Sequence, residues 1–318
     1  MSRYRNQLPQ LSGRPFLTDG GLETTMVFHE AIELPHFAAF HMLRDDAGIT
    51  KLKEYFARYT ALAKRFRTGF ILESVTWRAN SDWGERIGYS ASALARANRD
   101  AIALLEEIRE EMAHSEPVVL SGCVGPRGDG YFPKDKMTAQ QSADYHQPQI
   151  DTLASTAADL IAAVTMNYTA EATGIARAAQ RAGMPVVISF TVETDGHLPT
   201  GQELASAIGE VDDATSGYPA YYMINCAHPS HFESAIETDS TWSARIRGLR
   251  ANSSRRSHAQ LNECSDLDTG NPAEFGAEYA ALRRERLRLL NVLGGCCGTD
   301  HRHVEAVAER CVPLFGTA

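Results

Sequence analysis

The sequence lacks any long run of apolar residues, and no stretch approaches the ~18 residues of a membrane span. Its first 16 residues are polar and contain no apolar segment of a signal peptide. Positive charge is in the minority, with 31 Lys and Arg against 40 Asp and Glu and a formal net charge of −9. Such a surface disfavours nucleic acid and anionic lipid. We therefore expect a cytoplasmic protein that binds neither membranes nor nucleic acid, with an oligomer possible.

Linkers, internal repeats and low-complexity tracts are also missing from the 318 residues. A hydrophobic share of 43% and a charged share of 22% are ordinary for a globular chain, which excludes disorder as its main state. Length alone suggests two domains at ~150 residues each, but α/β barrels commonly exceed that size as one unit. Because no segment interrupts the pattern, we expect one domain over residues 1–318.

Short apolar runs alternate with amphipathic segments along the whole chain. Eight runs predict strands at 14–20, 69–77, 117–122, 160–166, 185–192, 221–226, 246–251 and 289–294. Eight segments predict helices at 50–66, 91–112, 139–158, 170–182, 202–208, 231–236, 272–287 and 301–314, with caps at Ser92, Thr138 and Asp300. This count is typical of a (β/α)8 TIM barrel, whose active site lies at the carboxyl ends of the strands. A doubly wound open sheet is disfavoured because no glycine-rich nucleotide loop follows the first strand.

Cysteines are few, and three of the six fall at predicted strand ends. Cys226 ends the sixth strand, and the adjacent pair Cys296–Cys297 ends the eighth. Neighbouring residues of a strand point to opposite faces, but the glycines at 294, 295 and 298 permit a break in that geometry. Three thiolates fit zinc with an open fourth position, although buried free cysteines are the alternative. The grouping favours a metal site, whereas Cys123, Cys264 and Cys311 are predicted to be free thiols.

Several motifs together carry a family resemblance. They are DGGLET at 19–24, GCVGPRGDGY at 122–131, EA at 171–172, SFT at 189–191, INC at 224–226 and GGCCGTDHRH at 294–303. In them the sequence resembles the homocysteine S-methyltransferase family, zinc-dependent thiol methyltransferases that use betaine, S-methylmethionine or a cobalamin module. The resemblance implies a (β/α)8 barrel with Cys226, Cys296 and Cys297 as catalytic zinc ligands. It also implies that Asp19, Gly20 and Gly21 lie near the amino acid substrate.

The expected activity follows from this resemblance and from thiol chemistry. An alkyl thiol with a pKa of ~8.5 is mostly protonated at pH 7, and zinc would deprotonate it. We expect methyl transfer from a sulfonium or ammonium donor to homocysteine, giving methionine. The barrel accounts for the whole chain, leaving no cobalamin or folate module, so we expect S-methylmethionine, S-adenosylmethionine or a betaine-like donor. The alternatives are a different thiol or donor, and a non-catalytic zinc or thiol barrel.

The substrate residues are expected at other strand ends. Family members carry a Glu where Val164 stands here, so another carboxylate must hold the homocysteine ammonium. Glu73 is our candidate, with Asp19 nearby, because the second and fourth strands contribute to one layer of the barrel. The alternative is that Glu73 pairs with a basic side chain such as Arg78. Further expected substrate contacts are Thr76 and Asn225.

Other aromatic and basic residues are assigned structural roles. We expect Arg255, Arg256 and His258 to form a solvated loop, His228 to be a loop residue, and His301 and His303 to support a helix start. The ring faces of Trp77, Trp83 and Trp242 could line a cation site, but packing in the core or at the rim is favoured.

Overall fold

Eight parallel strands close one barrel in the computed structural model, which describes residues 1–264 and 266–316. Each strand pairs with the next, and the first pairs with the eighth. The predicted (β/α)8 barrel is therefore confirmed. The strands are β1 (Phe16–Leu17), β2 (Gly69–Glu73), β3 (Val118–Val124), β4 (Leu160–Met166), β5 (Val186–Phe190), β6 (Tyr221–Asn225), β7 (Ile246–Ala251) and β8 (Val292–Gly295).

The helices surround the barrel. They are α1 (Leu22–Thr24), α2 (Asp46–Phe66), α3 (Ser81–Arg86), α4 (Ala91–Met112), α5 (Ala139–Ala154), α6 (Thr169–Arg181), α7 (Leu204–Thr215), α8 (Pro229–Phe232), α9 (His258–Asn262), α10 (Pro272–Glu285) and α11 (His301–Cys311). A π-helix covers Thr25–His29, and 3₁₀ helices cover Pro9–Ser12, Pro35–Phe37, Ala39–Arg44, Glu233–Ala235, Ser243–Arg245 and Val312–Phe315. Each described helix is too short or too polar to cross a bilayer.

The apolar runs form strands because both of their faces are buried. Outward-facing residues pack under the helices, while inward-facing residues fill the barrel with a separate cluster. That inner cluster contains Phe16, Ile71, Val119, Leu160, Val187, Tyr221, Met223 and Val292. Parallel strands covered on both faces lose the alternation of a half-exposed sheet, which explains why the sequence shows continuous apolar runs.

Two of the three predicted helix caps are confirmed. Thr138 and Asp300 each accept a backbone N–H in the first turn and form capping boxes at α5 and α11. The cap of α4 is Ser90 rather than Ser92, because Ser90 accepts from the amide of Ala93. A cap needs an extended backbone just before the first turn, and Ser90 has that conformation.

Two strand ends depart from regular geometry at the carboxyl mouth. The pairing of β4 with β5 shifts between Ala163 and Met166, where Thr165 has a φ of 62°. Cys226, directly after β6, has a φ of 54°. A left-handed backbone is costly for residues other than glycine and is concentrated at functional sites. Both irregular positions lie at the end of the barrel where (β/α)8 enzymes carry their chemistry.

Candidate active site

Three cysteine sulfurs meet at the carboxyl mouth of the barrel. The Sγ atoms of Cys226, Cys296 and Cys297 all lie within 4.8 Å of one another. Cys226 and Cys296 are joined as a disulfide, and the Cys297 sulfur is 3.9 Å from that of Cys226. Across residues 1–264 and 266–316, this is the one trio of His, Cys, Asp or Glu side chains grouped closely enough to share a metal ion. The predicted convergence of the three thiols is thus present.

The cysteine trio fits a tetrahedral zinc ion in its reduced state. Zinc–sulfur bonds of 2.3 Å place two sulfurs of one tetrahedral ion about 3.8 Å apart, close to the Cys226–Cys297 separation. Burial raises the pKa of the Cys297 thiol to about 11, so its thiolate needs a nearby cation. Binding zinc through all three sulfurs requires the Cys226–Cys296 disulfide to be reduced first.

Three glycines flank Cys296 and Cys297 and allow close packing there, but only one of them has a positive φ. Gly298 has a φ of 78°, whereas Gly294 and Gly295 do not have a positive φ and lie against Thr18 and Thr299. This corrects the expectation that all three glycines provide the backbone break. Gly21 acts in a similar way from the other side, because a Cβ there would lie 2.5 Å from the carbonyl oxygen of Cys296.

His258 is buried beside the cysteines and does not lie on a solvated loop as expected. Its Nε2 donates to the carbonyl of Cys226, and its Nδ1 lies 3.1 Å from Glu193. Its ring also stacks on Tyr131 at 4.0 Å. Sequence reasoning missed this role because α9, where His258 is the first residue, is a single short turn. The histidine therefore supports the left-handed peptide of Cys226.

Arg250 connects two of the predicted substrate residues. Its Nη2 donates to Asp19 at 2.7 Å, its Nη1 contacts Glu73, and its Nε donates to the carbonyl of Gly295 at 3.1 Å. Glu73 is therefore paired with a basic residue, but that residue is Arg250 and not Arg78. Burial raises the pKa of both carboxyls, and Arg250 opposes that shift. Arg250 is one of two arginines in β7, with Arg247, so the composition of the strand did not single it out.

The remaining predicted residues separate into two groups. Gly20, Asn225 and Val164 line the same cavity as the cysteines. The Asn225 amide bonds Thr165 at 2.9 Å and Ser189 at 2.6 Å, which secures the irregular end of β4. Thr76 corrects our expectation, because it is fully buried outside the cavity lining and donates to the carbonyl of Cys123 at 2.6 Å. Its hydroxyl stabilises the β2–β3 contact.

The histidines near the cysteines have structural partners. His228 bonds Ser230 at the start of α8 and lies 3.2 Å from Glu278. His303 is buried and lies between Asp300 and the carbonyl of Thr269. These contacts agree with the roles expected from the sequence.

A cavity of about 530 Å³ opens from the cysteine trio toward solvent. Its inner wall holds the polar groups described above, while Phe28, Phe37 and Phe132 lie at its outer part. These three phenylalanines are among the most exposed large apolar side chains of the described residues, at 43%, 48% and 48%. The cavity therefore combines a sulfur-rich, charged floor with an aromatic rim.

Arg78 lies between two tryptophans on the wall of this cavity. Its guanidinium carbon is 3.9 Å from the ring centres of both Trp77 and Trp83. The sequence favours packing in the core or at the rim for these tryptophans. In the structure their ring faces contact the guanidinium of Arg78, which is part of the protein and not a ligand. Trp242 lies apart, packed against the core between strands and helices.

The fold is a (β/α)8 barrel, and three cysteines face a substrate-sized cavity at the carboxyl ends of its strands. These features are typical of (β/α)8 enzymes whose active site contains cysteine side chains. The family model described as homocysteine S-methyltransferase matches residues 16–311. The chain belongs to that family and is a methyltransferase, which decides against a non-catalytic barrel.

Individual proteins are similar to the chain in sequence or in fold. The chain is 26% identical to homocysteine S-methyltransferase YbgG of Bacillus subtilis over 234 residues, covering 70% of this chain and 69% of YbgG. Its fold is similar to that of the homocysteine methyltransferase MmuM from Escherichia coli. The metallated form matches with a TM-score of 0.71 at 18% identity, covering 94% of this chain and 98% of MmuM. The oxidized form matches with a TM-score of 0.70.

Proposed function

We propose that this protein transfers a methyl group from a sulfonium or quaternary ammonium donor to the thiolate of homocysteine, giving methionine. The observation that carries the proposal is the convergence of Cys226, Cys296 and Cys297 at the floor of the cavity. Membership of the homocysteine S-methyltransferase family and the name of the Bacillus subtilis relative support the acceptor.

We propose zinc as the cofactor, held by the three cysteines. When bound, zinc supplies a Lewis acid that deprotonates the acceptor thiol. The protein's own residues fix the ligands: His258 holds the Cys226 peptide, and the close approach of Gly21 positions Cys296. A thiol bound to zinc in this way would need no general base from the protein during methyl transfer.

The chemical step is a direct displacement. The thiolate electron pair forms a new S–CH₃ bond as the C–S or C–N bond of the donor breaks, and that electron pair leaves with the neutral donor. The aromatic rim formed by Phe28, Phe37 and Phe132 suits a methylated cation, since ring faces attract such groups. We propose S-methylmethionine, S-adenosylmethionine or a betaine-like compound as the donor.

A screen of donors against acceptors tests this proposal. The reduced, zinc-loaded protein is incubated with each donor and with homocysteine or another thiol, and methionine formation and zinc content are measured. We expect about one zinc per chain and methionine from at least one donor. Cys296→Ala should lose both, while Cys311→Ala, a buried cysteine remote from the cavity lining, should retain both. Full activity of Cys296→Ala, or transfer only to a different thiol, would contradict the proposal.

A further inference from the structure

Arg78 is a buried cation that forms no close ion pair among the described residues, although the charges of Asp129 and Glu23 act on it from farther away. It is 7% exposed and lies on the cavity wall. Its Nη1 donates to the carbonyl of Gly128 at 3.0 Å, but its Nε has no hydrogen-bond partner. No carboxylate of the described residues lies within ion-pair distance of it. Stacking on two tryptophans fixes the plane of the guanidinium of this cavity-lining residue.

Glu23 supplies the opposite charge on the same cavity. It belongs to α1, directly after the Asp19–Gly21 turn, and lines the cavity together with Cys296 and Cys297. Within residues 1–264 and 266–316 it forms no ion pair and no side-chain hydrogen bond. Burial raises its pKa to about 7, and the charge of Asp19 adds to that shift, while the guanidinium groups of Arg250 and Arg78 offset only part of it.

The carboxylates of Asp19 and Glu73, by contrast, already have partners. Asp19 accepts from Arg250 and from the hydroxyl of Tyr55 at 3.0 Å. Glu73 accepts from Ser121 at 2.8 Å and from Arg250. Each of their four oxygens therefore has a donor from the protein. A substrate ammonium placed there would have to compete with a buried guanidinium.

We propose that Glu23 and Arg78 together bind the headgroup of an α-amino acid substrate, with the ammonium on Glu23 and the carboxylate on Arg78. Both side chains line the cavity that contains the cysteine trio, so an amino acid held by them keeps its sulfur within the same cavity. This assignment rests on the proposed function. It gives the ammonium a different partner from Glu73, the residue that the sequence favoured.

Two sources offer this headgroup: the acceptor homocysteine and the donor S-methylmethionine. Calorimetric titration of the reduced, zinc-loaded protein with each compound distinguishes them, because only the compound bound by Glu23 and Arg78 should lose affinity in their variants. We expect Glu23→Gln and Arg78→Met each to weaken that compound by roughly ten- to a hundredfold, as for loss of a charge-assisted hydrogen bond.

Two truncated thiols separate the roles of the two residues if the headgroup belongs to the acceptor. We expect Glu23→Gln to weaken 3-aminopropane-1-thiol, which lacks the carboxylate, and to leave 4-mercaptobutanoate unchanged. Arg78→Met should show the reverse pattern. Arg86→Met is the matched control, because Arg86 also stacks on Trp83, at 4.2 Å, but is exposed and outside the cavity lining.

Binding and catalysis are measured separately so that the two proposals can fail independently. The expected binding pattern without methionine formation would support the headgroup assignment and overturn the proposed reaction. Methionine formation with unchanged binding of both amino acids in both variants would overturn the headgroup assignment alone. Loss of ammonium recognition in Glu73→Gln but not in Glu23→Gln would also overturn it and return that role to Glu73.

Discussion

Arg250 lies on β7 and donates to Asp19 at the end of β1, with 2.7 Å between the two side chains. The same guanidinium contacts Glu73 at the end of β2, so one residue connects both carboxylates across the mouth. All three side chains are at most 11% exposed. Buried carboxylates are costly without a cation. Arg250 therefore stabilises the folded protein by pairing with both of them, in addition to lining the cavity.

Replacing Arg250 with Met should destabilise the protein by about 3–5 kcal/mol, because it leaves two buried carboxylates without their cation. Urea unfolding followed by circular dichroism measures the change. Arg247→Met, on the same strand but without an ion pair among the described residues, should cost far less. Adding Glu73→Gln to Arg250→Met should restore part of the loss. Equal stability of Arg250→Met and the parent protein would show that the pairing does not stabilise the fold.

The barrel could be predicted from the sequence because its signal is repeated eight times. The strands at 160–166 and 246–251 have the observed limits, and the helix at 91–112 does as well. β1 is shorter than its apolar run because only Phe16 and Leu17 pair with both neighbours before the chain turns at the glycines. Local apolar pattern thus determines the elements, while their ends depend on pairing and turn geometry.

The candidate site was predictable only in part. The cysteine motifs are adjacent to glycines and carry a recognisable spacing, so their convergence could be expected. Arg250 was missed because nothing local identifies a partner 231 residues away in the chain. The segment between β1 and α2 was missed as well, since Ala31, His36 and Phe37 adopt positive φ without any glycine to signal the turns. Tertiary contacts override local preference at such places.

His258 should influence metal binding through the Cys226 peptide. His258→Ala removes the donor to the Cys226 carbonyl, and the left-handed residue then loses a support. We expect zinc affinity to fall by roughly ten- to a hundredfold, as for other groups that orient metal ligands. Competition with a chromogenic chelator measures it. His197→Ala, at a partly exposed histidine outside the cavity lining, is the control. An unchanged affinity in His258→Ala would contradict the orienting role.

Gly21 should tolerate no side chain. In Gly21→Ala the new Cβ would lie 2.5 Å from the Cys296 carbonyl, so the cysteine loop or α1 must shift. We expect a loss of about 1–3 kcal/mol in the free energy of unfolding, together with reduced zinc content. Gly209→Ala is the control, because Gly209 lies inside α7 and a Cβ there would meet no atom within 4 Å. That helix variant should be unchanged or up to about 1 kcal/mol more stable.

Asp300 should contribute a pH-dependent part of the stability. Burial alone would raise its pKa, but the contact with His303 and the hydrogen bonds from Arg302 outweigh burial and lower it. Because the folded-state pKa lies below the unfolded value of ~3.9, the contribution is complete above that pH and is lost as the pH falls through and below it. Asp300→Ala should therefore cost about 1 kcal/mol at pH 7, as for other helix caps, and progressively less below pH 4.

Thr138 offers the matched comparison for Asp300, because it caps α5 with the same capping-box geometry but does not ionise in this range. Thr138→Ala should lose about 1 kcal/mol at every pH. Urea unfolding of the parent and both variants between pH 3 and pH 7 measures the two differences. A cost for Asp300→Ala that stays constant across that interval would show that its carboxylate caps α11 without the lowered pKa, and that His303 and Arg302 do not stabilise its charge.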